Sequence, residues 1–162
     1  RGTDDRWETR IGSNNLLMAY VHVAHDVIVG DNCILANGVT LAGHVTVDDF
    51  AIIGGLTPVH QFCRIGSYSM TGGGSAINQD ICPFVMAEGN KAVIRGLNTV
   101  GLRRKGFTEE DRSNLKKAYR IIFRNGNPLK DALVELENEF PEDKNIKYLV
   151  EFIKTSNRGI TR

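Results

Sequence analysis

The sequence predicts a mainly β fold, a parallel β-helix of six-residue repeats followed by a small C-terminal α-helical domain, on three observations. From Ile11 the chain divides into twelve hexads that hold one phase for 72 residues. The phase is lost after residue 82, and beyond Gly106 apolar residues recur at helical spacing instead. These boundaries divide the chain into a leader (1–10), the β-helix (11–88), an irregular connection (89–106) and the helical domain (107–162).

The hexads run IGSNNL, LMAYVH, VAHDVI, VGDNCI, LANGVT, LAGHVT, VDDFAI, IGGLTP, VHQFCR, IGSYSM, TGGGSA and INQDIC. The first position is aliphatic in eleven of twelve and the second is Gly or Ala in eight, a phase no 3.6-residue period produces. An aliphatic first residue fills the interior, a small fifth residue fits beside it, and Gly or Ala relieves crowding near a corner. With three hexads per coil, residues eighteen apart stack at the interstrand spacing of ~4.8 Å. His25, Gly43 and Gln61 then form one column with His44 and His60 beside it, and His22 precedes the corner leading into that face. Three of the chain's four histidines therefore converge, and the fourth, His22, lies just before their face. His25 and Asp26 are neighbours, so side-chain contact between them requires the bend of a corner. The outward sixth positions Leu16, Ile34, Ile52 and Met70 make a continuous apolar column, which should not face water.

In the C-terminal part, Thr108 with Asp111 forms the signature of a capping box ahead of a helix ended by Gly126, with Leu115, Ala118, Tyr119, Ile122 and Phe123 at helical spacing. A second helix over 128–139 is opened by Pro128, and a third follows Pro141. Short loops make these an appendage closing the coil.

Composition narrows the function classes. Twenty basic against nineteen acidic side chains give no general electrostatic case for nucleic acid or an anionic membrane. No run of 18 apolar residues spans a bilayer, and the start carries no signal-peptide pattern. Three cysteines, Cys33, Cys63 and Cys82, lie within apolar repeats and read as reduced core residues of a cytoplasmic protein.

The stretches AHDVIVGDNCILANGVTLAGHVTVDDFAIIGG, VHQFCRIGS and GLNTVGLRRKGF, with the helical tail, are similar to the acyl-carrier-protein–UDP-N-acetylglucosamine O-acyltransferases of lipid A synthesis, a branch of the hexapeptide-repeat acyltransferases. The resemblance implies a left-handed β-helix and transfer of a (3-hydroxy)acyl chain from acyl carrier protein to the 3-position of UDP-N-acetylglucosamine. It covers the family's C-terminal portion, since family members carry further coils before this segment. By resemblance His25 is the general base, Asp26 orients it, and the Gly43 N–H stabilises the oxyanion. The chemistry agrees: histidine titrates near working pH, and acyl transfer needs a base and a donor where negative charge develops. His22, His44, His60 and Gln61 are implied in substrate binding. Asn98, Arg104 and Lys105, in the connection, are implied at the nucleotide, its phosphates or the phosphopantetheine arm, with guanidinium suited to bidentate phosphate contact. Val100 stands where the family is usually acidic, and Lys105 where arginine is more usual. Gly73 is implied as the limit on acyl length, in a pocket with Met70 and Ile52.

The partners implied are a homotrimer with sites between subunits, acyl carrier protein with its phosphopantetheine as co-substrate, and UDP-N-acetylglucosamine. No metal or other cofactor is expected. Alternatives are a sister N-acyltransferase of the same pathway, a trimeric metalloenzyme of carbonic anhydrase type using His22 and His25, and a non-catalytic scaffold.

Overall fold

The computed structural model describes residues 2–3 and 6–162. Two-residue strands follow one another every six residues: β1 (Arg10–Ile11), β2 (Leu16–Leu17), β3 (His22–Val23), β4 (Ile28–Val29), β5 (Ile34–Leu35), β6 (Thr40–Leu41), β7 (Thr46–Val47), β8 (Ile52–Ile53), β9 (Pro58–Val59), β10 (Arg64–Ile65) and β11 (Met70–Thr71). Each of the first eight pairs in parallel with the strand three further on, giving the orders β1-β4-β7-β10, β2-β5-β8-β11 and β3-β6-β9. The pairing is at eighteen residues, as in Ile28↔Thr46, Ile34↔Ile52 and His22↔Thr40. The expected stacking of residues eighteen apart is thus the observed register, in a parallel β-solenoid.

The hexad positions explain the core. First-position Val29, Leu35, Leu41, Val47, Ile53 and Ile65 and fifth-position Val27, Cys33, Val39, Val45 and Cys63 are all buried to within 1%. A truncation such as Ile53→Ala in that column costs about 2–5 kcal/mol. Burial pushes the Cys33 and Cys63 thiols up to about 11, so neither is a thiolate at neutral pH.

The fourth position of each hexad turns the corner. Asn14, Tyr20, Asp26, Asn32, His44, Phe50, Leu56, Phe62 and Tyr68 all have φ between 56° and 65°. A side chain held there costs on the order of 1–2 kcal/mol. From Asn32 onward a hydrogen bond to the preceding coil offsets that cost: the His44 N–H donates to the His25 carbonyl and the Phe62 N–H to the Gly43 carbonyl, both at 3.1 Å.

One sequence expectation is corrected. The stretch up to Gly106 is not irregular: β12 (Val85–Glu88) extends the β2-β5-β8-β11 sheet in parallel, and β13 (Val93–Leu97) returns antiparallel beside it. Helix α1 (Thr99–Arg104) follows. The hexad template fails there because β12 and β13 are four and five residues long and end in a hairpin, which has no period of six.

The remaining helices are α2 (Glu109–Phe123), α3 (Leu129–Glu139) and α4 (Lys144–Lys154). The Thr108–Asp111 capping box is formed in both directions. Helix α4 is capped by the Asp143 carboxylate, which accepts from the Asn145 and Ile146 N–H groups. It docks on the coils through side chains. The Tyr148 hydroxyl donates to Asp48 Oδ2 at 2.7 Å, and the Arg64 guanidinium lies 4.1 Å from the Phe152 ring centre. The final residues return to the coils, where the Thr161 N–H donates to the Asp80 carbonyl.

Candidate active site

The corner between the β3-β6-β9 and β4-β7-β10 sheets gathers the chemistry. Asp26 turns it with φ of 57°, which brings its carboxylate back beside the preceding His25. His25 Nδ1 and Asp26 Oδ2 are 3.0 Å apart. A carboxylate only accepts, so Nδ1 carries the hydrogen and the Nε2 lone pair is left for a substrate proton. Asp26 is fully buried while the His25 side chain is 47% exposed, the arrangement of a supported base facing solvent. One coil on, His44 Nε2 lies 3.9 Å from the same carboxylate oxygen. Its ring meets His25 edge-on at 5.1 Å and stacks on Phe62 at 4.5 Å.

Thr3 completes the surroundings of Asp26. Its hydroxyl and N–H donate to Oδ2 at 2.7 and 2.8 Å. Burial opposes the charge on Asp26. The Thr3 hydroxyl, the His25 ring, the Thr3 N–H and nearby His44 outweigh it and hold the carboxyl well below the usual range.

Gly43 lies directly beside His25. A β-carbon there would stand 2.5 Å from His25 Cε1 and 2.7 Å from Nε2, so the ring occupies the space a side chain would need. The position also leaves a backbone donor open. At the next corner along the coil, the N–H groups of Ser13 and Asp31 are taken by the carboxylates of Asp31 and Asp49. Gln61 stands in the corresponding place over Gly43, and the Gly43 N–H donates to no group among the described residues. A base with its lone pair outward and an unclaimed N–H beside it are the two elements acyl transfer requires.

The other residues singled out from sequence fall in several places. His60 Nδ1 lies 3.2 Å from the Gln61 carbonyl and 3.3 Å from the Arg158 guanidinium, which also donates to the Asn78 carbonyl. His22 is on β3, exposed, at the start of the hexad's face. Asn98 is buried, with its amide engaged at both ends: Oδ1 accepts from the Gly101 N–H as the cap of α1, and Nδ2 donates to the Tyr68 carbonyl. Arg104 ends α1, and Lys105 Nζ sits 5.0 Å from the Phe50 ring centre, beside a cavity of about 350 Å³ lined by Tyr68, Gly106, Phe107 and Lys144. Gly73 stands at the third corner, where an added β-carbon would meet the Gly55 carbonyl at 3.3 Å. Met70 and Ile52 are paired on the sheet before it. One chain therefore assembles His25, Asp26, Gly43 and His44, and distributes the implied nucleotide and acyl-chain residues over its other two corners.

Thr3, Phe62 and Arg158 were not singled out from sequence. Phe62 carried a signal, since it lies eighteen residues after His44 and thirty-six after Asp26 in one column. Thr3 and Arg158 lie outside the repeat and have none.

Among the described residues, the donor atoms of His25, Asp26 and His44 come within 4.8 Å of one another, and His22 is not among them. Asp26 Oδ2 already accepts three hydrogen bonds, so a hydrogen-bonded acid–base cluster accounts for the geometry.

The fold and this corner define a protein of the hexapeptide transferase class, and residues 8–43 match the family model for bacterial transferase hexapeptide repeats. Residues 80–161, just over half the chain, match the model described as UDP N-acetylglucosamine O-acyltransferase, domain 2, and the chain belongs to that family. It is 74% identical over its whole length to the acyl-[acyl-carrier-protein]–UDP-N-acetylglucosamine O-acyltransferase of Fusobacterium nucleatum, and 59% identical over 94% of its length to that of Aliarcobacter butzleri. It spans 63% and 58% of those relatives. Among solved structures, the UDP-N-acetylglucosamine O-acyltransferase of Moraxella catarrhalis superposes over the entire chain with a TM-score of 0.96 at 48% identity, the chain covering 63% of it. That of Bacteroides fragilis does so with a TM-score of 0.97 at 45% identity, the chain covering 64% of it.

Proposed function

We propose that this chain carries the acid–base centre of an acyltransferase that moves a (3-hydroxy)acyl group from acyl carrier protein to the 3-position of UDP-N-acetylglucosamine, the first step of lipid A synthesis. The observation that carries the reading is the corner at 25–43: an oriented His25 with Nε2 outward, and the unclaimed Gly43 N–H against its ring. Family membership and the names of the relatives supply the substrates.

The chemistry follows from the geometry. The sugar 3-hydroxyl gives its proton to His25 Nε2 as its oxygen attacks the thioester carbonyl. Negative charge develops on the carbonyl oxygen, where the Gly43 N–H is the donor. Collapse breaks the carbon–sulfur bond, and the departing phosphopantetheine thiol takes the proton back from His25. The Asp26 carboxylate stabilises the imidazolium formed in between. The sequence of steps uses no metal and forms no covalent enzyme intermediate.

The finer features belong to the same reading: a left-handed coil, a homotrimer and a cytoplasmic location. Catalytic, nucleotide and acyl-chain residues on three corners of one chain meet only if subunits pack side by side. His22, His44, His60 and Gln61 then contact the substrates around His25. Asn98, Arg104 and Lys105 serve the nucleotide or pantetheine phosphates, with Asn98 acting through the placement of α1. Gly73, Met70 and Ile52 line the acyl chain, and glycine at 73 leaves room for a long one. Among the described residues no helix is long and apolar enough to cross a membrane. The test is turnover of the full-length protein with acyl carrier proteins of graded chain length. Transfer to the 3-oxygen of UDP-N-acetylglucosamine, best with longer chains, supports the reading, and absence of acylated sugar nucleotide refutes it.

A further inference from the structure

The carboxylate of Asp26 has no exposure, yet all its hydrogen bonds converge on one oxygen. Oδ2 accepts from the Thr3 hydroxyl at 2.7 Å, the Thr3 N–H at 2.8 Å and His25 Nδ1 at 3.0 Å, while Oδ1 is buried without a partner among the described residues. Two of the three donors thus come from a single residue in the leader, 22 positions before the base and outside the repeat. Thr3 Oγ1 also stands 3.4 Å from His25 Nδ1, so the threonine touches both members of the pair.

We propose that Thr3 is a positioning residue for this pair: its N–H and hydroxyl clamp Asp26 Oδ2, keeping the carboxylate turned to His25 Nδ1 and the base with Nε2 outward. The proposal rests on the acid–base reading of His25 and Asp26. Its physical basis is the cost of burying a charge. A buried carboxylate with an unpartnered second oxygen relies on the donors to the first, and without them it takes up a proton. Among the described residues, His44 Nε2 lies 3.9 Å from Oδ2, and the Arg6 guanidinium reaches the Asp26 backbone carbonyl at 3.4 Å, not the carboxylate. A proton on Oδ2 would be donated to Nδ1. The neutral imidazole would then carry its hydrogen on Nε2, with no lone pair there to accept from the sugar. Thr3 therefore acts through Asp26 on the tautomer of His25 and touches no reacting atom.

The experiment compares Thr3→Val, Thr3→Ser and Asp26→Asn in the full-length enzyme. Valine keeps the shape and the backbone N–H and removes only the hydroxyl. A hydrogen bond to a charged group is worth roughly ten- to a hundredfold, so Thr3→Val is expected to lower kcat by that factor with KM unchanged for both substrates. Without the hydroxyl, the carboxyl carbon resonance of Asp26 titrates at higher pH in Thr3→Val than in the wild type. Thr3→Ser restores both readouts. A wild-type kcat and an unshifted Asp26 resonance titration in Thr3→Val, or equal losses in the serine and valine variants, overturns the proposal. If Asp26→Asn itself keeps the wild-type rate, the acid–base reading falls and takes this inference with it. If Asp26→Asn is inactive while Thr3→Val is normal, only the role of Thr3 is lost.

Discussion

At the scale of single residues, the site depends on a space as much as on functional groups. The His25 ring fills the volume a β-carbon at 43 would occupy, with Cε1 2.5 Å from that point. Gly43→Ala must therefore push the ring away from the N–H it stands beside. Because small misplacements of a positioned base cost on the order of a hundredfold, this variant should lose about two orders of magnitude in kcat. Its thermal unfolding should stay close to wild type, since the displaced ring is half-exposed; steady-state assay and calorimetry on the same sample check both. Much of this was legible in the sequence, because a column spacing of eighteen places His25 under Gly43 and His44 beside them. The Asp26 contact was legible as a requirement for a corner, and the positive φ at Asp26 is how the chain meets it. Thr3 was not legible, since its position depends on the path of a leader with no repeat, and neither was Arg158, brought to His60 by the returning tail.

At the scale of elements, strands of two residues hold because every coil repeats the same ladder, and the sequence announces that ladder through its interior positions. The helical part is announced by caps and spacing; the Thr108–Asp111 box and the stops near Gly126 and Glu139 are where the sequence implies them. The β12–β13 hairpin and α1 escape a six-residue template, and the Asn98 cap is invisible to it. How the helices dock is a matter of buried polar pairs. Burial lifts the Asp48 carboxyl above its ordinary range, against the hydrogen bond it accepts from Tyr148. The folded protein thus holds that proton more tightly than the unfolded chain. This contribution is fully present below the unfolded value of about 4 and is lost as pH rises through the raised folded value. Asp48→Asn keeps an acceptor for Tyr148 and has no proton to lose. Its unfolding midpoint should fall less than that of the wild type as pH is raised from the carboxylate range toward neutrality. Parallel midpoint curves would show that the seam carries no such strain.

At the scale of the whole molecule, the register joins Leu16, Ile34, Ile52, Met70 and Met86 into one apolar column along a sheet face. Leu16, Met70 and Met86 are 49%, 36% and 38% exposed in the single chain. Such a continuous stripe is the surface a second copy would cover, in keeping with functional residues spread over three corners. In the proposed homotrimer, Ile52→Asp in the middle of the column should reduce the sedimenting mass from three subunits toward one and abolish turnover; an unchanged trimer would remove the stripe from the interface. The centre of the account is still the corner at His25. The most direct measurement is single-turnover acyl transfer to UDP-N-acetylglucosamine by full-length His25→Ala beside the wild type. The account predicts product formation slower by about 10²–10⁴ with the acyl thioester still bound, and transfer at the wild-type rate would contradict it.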